Sequence, residues 1–299
     1  MIPACKICES RNLTILYRSR KYPFDVGRCA NCGFVSVLQE IPESQLREMY
    51  SDEQSFHDFA NAMDNDKVRA RHRQALDEIQ VILNVAPSNS ASQPRPRLFD
   101  VGAGSGEFLK SAQDAGFEVY GNEFSVPAIR MAREKYNIHL SSDSLEQDTR
   151  ANYFDVITMW GLIEHVWHPR LLLEHAFRLL RTEGILYIYT PVWCLYDDIG
   201  LWSARISRGR WTRLLDRRIT LAHLQLFSQS TLENALARAG FDILSIEVVC
   251  EYNLPVAAYL KSLGVPAQVQ GGLTWVLNQL IDHGLFFRNN MRVFCRKGH

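Results

Sequence analysis

An α/β fold built on a mostly parallel sheet, fronted by a small cysteine-rich module, follows from three features of this chain. Between residues 97 and 249, short apolar runs alternate with helical patterns, and strands separated by helices pair in parallel. The first run, Leu98-Phe99-Asp100-Val101, breaks into Gly102-Ala103-Gly104-Ser105-Gly106. Glycine accepts positive φ and carries no Cβ. Such a turn brings the backbone close to a ligand and aims the N–H groups of the next helix at it. Ahead of both, Cys5-x-x-Cys8 and Cys29-x-x-Cys32 stand with twenty residues between them, a spacing that can place four thiolates around one zinc ion.

The elements follow in order. Residues 1–42 read as the zinc module, with short strands at 12–17 and 34–38; Gly33 suits the tight turn after the second knuckle. Four thiolates leave no open coordination position, so the metal is structural. Redox pairs or disulfides are the alternative, and the lack of a leader-like start weighs against them. Cys194, Cys250 and Cys295 stand apart in apolar surroundings and read as buried thiols. Residues 43–97 form a helical connector with helices at 43–50 and 67–83, then a Pro/Ser-rich linker from 86 to 97. Residues 98–299 form the main domain. Strands are expected at 97–101, 118–122, 138–140, 154–160, 185–190, 241–249 and 291–296. Helices are expected at 107–115, ended by Gly116, at 126–136, and from Pro169 to 180. Ser230-Thr231-Leu232-Glu233 reads as a capping box opening a helix at 232–239, ended by Gly240. Two stretches break the alternation, 192–227 and 253–288, and both read as lid insertions.

Composition bounds the function. The 299 residues are 46% hydrophobic, and 33 basic side chains balance 33 acidic ones. Zero net charge argues against a general nucleic-acid binder. With no run of about 18 apolar residues, a soluble, cytoplasmic protein is expected.

Residues 98–250 resemble the class I S-adenosylmethionine (SAM) methyltransferases across nearly the whole core. Five segments carry the likeness: the glycine turn behind Asp100; Gly121-Asn122-Glu123-Phe124-Ser125; Asp143-Ser144-Leu145-Glu146; Phe154 to Val166, ending in Glu164-His165-Val166; and Leu179 to Leu186 with Thr190-Pro191. Thr182-Glu183-Gly184 stands where the family usually has Pro-Gly-Gly. The resemblance implies a Rossmann-like sheet whose last strand runs antiparallel. It implies SAM held by Asp100, Gly102, Gly104, Gly106, Glu123 and Phe124, with Glu123 on the ribose hydroxyls, Asp143 and Ser144 near the adenine, and Trp160 at the cofactor edge or the substrate. Taken singly, Asp100 and Asp143 could be ordinary turn residues and Trp160 could be core. The order of elements, with its cysteine module in front, resembles bacterial sugar and natural-product C-methyltransferases, and the Leu-Ile-Glu-His stretch resembles ubiquinone-type enzymes.

The expected reaction is methyl transfer to a small-molecule acceptor in a biosynthetic pathway, whether natural product, sugar nucleotide or quinone-like. His223 and His165 are the candidate bases, with Glu164 beside them. Glu164, His165 and His223 could instead hold a second divalent metal. Against this, Gly161 stands where metal-dependent relatives carry another Glu, and histidine suits magnesium poorly. An RNA methyltransferase using the zinc module on RNA is the rival: residues 1–32 hold six Lys/Arg against two acids. The Asn/Asp-Pro-Pro-aromatic motif of base-amine enzymes is missing after the 154–160 strand, which weighs against it. A non-enzymatic SAM-binding scaffold is a weaker reading still. Within residues 205–218, Arg205, Arg208, Arg210, Arg213, Arg217 and Arg218 are opposed only by Asp216, and Trp202 and Trp211 accompany them. This basic, aromatic stretch suits an anionic acceptor, or peripheral membrane contact through 202–218, or a plain solvated face.

Overall fold

The computed structural model describes residues 4–42, 45, 48, 52–84, 94–252 and 255–298. Most of the helix expected at 43–50 and most of the Pro/Ser-rich linker lie outside the described residues. At the front, β1 (Leu13–Arg18), β2 (Asp25–Cys29) and β3 (Val35–Val37) form an antiparallel meander. The middle strand was not expected from the sequence. Two helices follow, α1 (Glu53–Met63) and α2 (Asp66–Leu83). The second begins where the Asn65 side chain accepts the Val68 N–H and ends at Asn84 in the left-handed region, a full set of cap interactions.

The main domain then runs β4 (Arg97–Val101), α3 (Glu107–Asp114), β5 (Glu118–Asn122), α4 (Val126–Tyr136), β6 (Phe154–Trp160), α5 (Pro169–Leu179) and β7 (Leu180–Pro191). After these come α6 (Leu195–Ile206), β8 (Gln225–Leu226), α7 (Gln229–Arg238), β9 (Phe241–Val249), α8 (Val256–Leu263), α9 (Ala267–Asp282) and β10 (Asn290–Lys297). The six-stranded sheet has the order β5-β4-β6-β7-β10-β9. Its first four strands are parallel, and the last strand of the chain runs antiparallel to both neighbours. Alternate residues feed opposite faces. Leu98, Val156, Ile185 and Tyr187 pack under α2 and α3, while Phe99, Ile157, Leu186 and Ile188 pack under α5 and α7.

Three local expectations are corrected. No strand forms at 138–140. Asn122 and Ser141 make one isolated parallel bridge, and the Ser141 hydroxyl then bonds Asp143 and turns the chain away. The helix expected at 232–239 starts at Gln229, because Ser228 caps it through the Thr231 N–H, two residues before the expected cap. Residues 195–206 are helical, although they had been read as part of an irregular insertion.

The front module is joined to the main domain by a strand pairing and by shared core. The two-residue strand β8 pairs with β3, Val35 beside Leu226 and Ser36 beside Gln225. Tyr17, Phe24, Val26, Val35 and Val37 of the module bury with Leu201, Ala204, Leu215, Ile219 and Leu224 of the 192–227 segment. That segment is thus the second layer of the module as well as a connection out of β7.

Candidate functional site

The four cysteines converge. Cys5 and Cys32 bring their sulfurs to 3.6 Å, and Cys8 and Cys29 bring theirs to 3.5 Å. A disulfide would need about 2.05 Å. Zinc–sulfur bonds of about 2.3 Å in a tetrahedron set sulfurs about 3.8 Å apart. The cluster therefore fits a metal and not a pair of bridges, and all four ligand atoms lie within 4.8 Å of one another. Each pair sits on a matched turn. Glu9 N–H bonds Cys5 C=O and Gly33 N–H bonds Cys29 C=O, with φ of +60° and +75° at the two turn residues. Backbone N–H groups of Ile7 and Cys8 point at the Cys5 sulfur, and those of Asn31 and Cys32 at the Cys29 sulfur.

The glycine turn divides its labour. Gly102, Gly104 and Gly106 all have positive φ. A Cβ on Gly102 would lie 2.7 Å from Leu162 Cδ1, and one on Gly106 would lie 3.0 Å from Ala132 Cβ, so these two are required by protein packing. A Cβ on Gly104 would meet nothing within 4 Å. Open space above a left-handed glycine, beside the start of α3, is a cradle a ligand can fill. The Glu123 carboxylate closes its rim, accepting from Gly104 N–H at 3.0 Å and from the N–H groups of Phe124 and Ser125. Burial raises its pKa against those three bonds. Phe124 stands beside it, 39% exposed.

Gly104→Ala should therefore separate folding from binding. Its left-handed backbone costs about 1–2 kcal/mol of stability. Binding of an adenosyl ligand should fall by more than that, because the added methyl occupies the open space. Equal small losses in melting temperature and calorimetric affinity would remove the turn from the site.

Asn122, which the sequence reading left without a role, ties this region together. Its side chain accepts from Gly102 N–H at 3.2 Å and donates to Asp143 C=O at 2.8 Å. The Asp143 carboxylate is exposed, beside the Ser141 hydroxyl. Ser144 caps the 3-10 turn Leu145–Gln147. Asp100 lies inside the sheet, 2% exposed, with the Thr158 hydroxyl donating to it at 2.6 Å. It supports the turn from inside. Trp160 is packed among His72, Phe108, Tyr187 and Tyr189, with ring centroids 4.7–5.6 Å away.

Glu164, His165 and His223 meet across 58 residues of sequence, with ligand atoms within 4.8 Å of one another. Glu164 is 2% exposed, accepts the Thr190 hydroxyl at 2.9 Å and lies 3.7 Å from His165 Nε2. The two imidazoles meet edge to face at 4.7 Å. His165 donates to the Ala222 carbonyl, and His223 to that of Arg218. The turn that carries Glu164 and His165 also carries Leu162, which overhangs Gly102, so cradle and cluster share one wall. Gln225 clamps that wall. Fully buried on β8, it donates to the carbonyls of Ile163 and Val166 at 2.7 and 2.8 Å. A two-residue strand has no periodic signal, and Gln225 was missed for that reason. The three side chains could hold a divalent cation. Gly161 occupies the missing fourth-donor position, where a Cβ would lie 3.5 Å from Glu164 Oε1.

The basic stretch is split. Arg218 is internal, with Nε 2.9 Å from the fully buried Asp197 and a bond to Val192 C=O. Arg205, Arg208 and Arg210 are exposed.

Burial sets the charge states. It pushes Asp100 up to about 8 and Glu164 up to about 7. It holds His72 and His165 down at about 3 and His223 at about 4, aided by Arg71, His223 and Arg218 respectively. These shifts act on stability in opposite senses. A carboxyl that keeps its proton in the fold loses stability as pH rises, whereas the buried histidines, and Lys6 held down at about 7, refuse protons the unfolded chain takes and lose stability as pH falls.

A sequence model described as a methyltransferase domain matches residues 68–246. The ubiquinone biosynthesis O-methyltransferase of Glaesserella parasuis serovar 5 is 30% identical over 105 residues, covering 31% of this chain and 44% of that protein. The enzyme of the same name from Nitrosococcus oceani is 30% identical over 109 residues, covering 34% and 46%. The chain thus spans less than half the length of these curated relatives. Among solved structures, the [4+2]-cyclase SpnF superposes with a TM-score of 0.55 at 17% identity, over 86% of this chain and 97% of that one. Magnesium protoporphyrin IX methyltransferase from Synechocystis PCC 6803 gives 0.54 at 13% identity, over 86% and 100%. These likenesses are of fold, and a fold that serves a cyclase as well does not by itself fix the reaction.

Proposed function

This chain belongs to the methyltransferase-domain family, and from that premise we propose that it transfers a methyl group from S-adenosylmethionine to a small-molecule acceptor. The observation that carries the reading is the open cradle above Gly104, rimmed by Glu123 and walled by the turn that holds Glu164 and His165. SAM, when bound, supplies an electrophilic methyl on a sulfonium. The residues that would hold it are the N–H groups of the glycine turn, the Glu123 carboxylate and the Phe124 ring. Asn122 fixes the Asp143 loop at the far rim. At the other end, the buried and uncharged His165 and His223 can accept a proton from the acceptor atom, and Glu164 can stabilise the imidazolium that results.

The relatives named for ubiquinone biosynthesis support a small molecule over an RNA strand as acceptor. A structural zinc at Cys5, Cys8, Cys29 and Cys32 belongs to the same reading, supported by the sulfur spacing. Label from methyl-tritiated SAM should move into the small-molecule fraction of a cell extract and not into its RNA. Label in RNA alone would give the acceptor to the rival class.

Glu123→Ala should weaken SAM binding by about 1–3 kcal/mol through lost charge-assisted hydrogen bonds. Calorimetry checks this. A chain that binds a nicotinamide dinucleotide and no SAM would overturn the proposal.

A further inference from the structure

The two insertions form one cap whose outer surface is apolar. Arg213 lies 3.8 Å from the Cβ position of Gly264, Arg217 sits 5.4 Å over the Tyr259 ring, and Tyr196 meets Phe287 at 6.1 Å. Of the fifteen large hydrophobic residues exposed among the described ones, ten fall in these insertions, too many in one region for ordinary surface scatter. α6 is apolar on both sides. Its inner face, Leu201 and Ala204 with Gly200, is buried against the front module, and its outer face presents Leu195, Ile199, Trp202 and Ile206, 42–67% exposed. Trp211 follows at 67%. α9 has no buried residue, exposes Val269, Leu273, Trp275 and Val276, and has Asp282 as its only charged side chain, paired to Lys67 at 3.3 Å.

The charge around this surface is one-sided. Arg205, Arg208 and Arg210 are exposed at the end of α6, and no carboxylate lies within ion-pair distance of them among the described residues. Asp198, nearer the helix start, accepts the Trp193 indole N–H. An isologous contact between two copies would set six exposed arginines against only the two Asp198 carboxylates, each already engaged by a Trp193 indole, and would leave the charge unbalanced. An anionic bilayer satisfies both features: tryptophans enter the headgroup layer and arginines meet lipid phosphates.

We propose that the α6–Trp211 surface docks this protein on anionic lipid membranes. Docking needs neither cofactor nor acceptor, so it stands apart from the catalytic reading. The test uses the full zinc-loaded chain in flotation with phosphatidylcholine vesicles, with and without phosphatidylglycerol. It should float with the anionic vesicles, release as salt is raised, and show a blue-shifted tryptophan emission. R205Q/R208Q/R210Q should lower the partition coefficient roughly 100-fold, and W202S/W211S should abolish the blue shift. The replaced side chains are exposed, so unfolding midpoints should match the parent. No flotation at low salt, or flotation unchanged in both variants, would overturn the proposal. So would a dimer in sedimentation equilibrium that W202S/W211S dissolves, since that result gives the surface to a second copy.

Discussion

Cys29→Ser, or removal of the metal by a chelator, is expected to unfold the front module and abolish methyl transfer together. Structural zinc contributes on the order of 10–16 kcal/mol in small metal-dependent units, comparable to the whole stability of a domain at about 5–15 kcal/mol. The loss would spread along a defined route. Cys5, Cys29 and Phe34 pack in the same core as Phe227, with Phe34 and Phe227 rings 4.9 Å apart. β3 pairs with β8, and Gln225 on β8 holds the turn of Glu164 and His165. Metal analysis, circular dichroism and label transfer on one preparation check this. Folded, active protein with metal content near zero would refute the zinc assignment. Gln225→Leu tests the route separately, since it should lower turnover while leaving zinc content unchanged.

The second large effect is expected at the histidine pair. His223→Ala and His165→Ala should each lower kcat by about 10²-fold or more if a ring takes the acceptor proton. SAM affinity should stay within about 0.5 kcal/mol, as for groups that do not share partners. The pH profile locates the third member. Burial holds both imidazoles unprotonated well below neutrality, so an ascending limb near pH 7 belongs to Glu164, held at about 7. Glu164→Gln should flatten that limb and slow turnover. Unchanged kcat in both histidine variants would take the cluster out of the chemistry. A requirement for added Mg²⁺ or Mn²⁺ that Glu164→Gln removes would assign it to a metal instead.

What was legible in the sequence was what local pattern encodes. The glycine turn, the parallel strands and the two cysteine knuckles each lie within a few consecutive residues, and apart from the strand at 138–140 each was found where expected. Glu164, His165 and His223 were named together because of the family likeness, and the structure brings them together. What was missed depends on partners far along the chain. Arg218 counted as a surface charge because Asp197, its buried partner, lies on another element. α6 escaped notice because apolar residues on both of its faces erase the one-sided period by which a helix is recognised. Asn122 and Gln225 are ordinary polar residues until their carbonyl and N–H partners arrive from other loops. Asp100 has the family position, but its burial against Thr158 makes it part of the scaffold.

The pairing of β3 with β8 also sets an order of events during synthesis. Val35 leaves the ribosome about 190 residues before Leu226, a wait of roughly 10–40 s at about 5–20 residues per second. For that time the nascent module has three strands and an open edge at Val35–Val37, whose residues are all buried in the finished protein. An unpaired apolar edge invites pairing with a neighbouring chain. Yield in a cell should therefore depend on how fast translation reaches residue 226 and on whether a chaperone shields the edge until then.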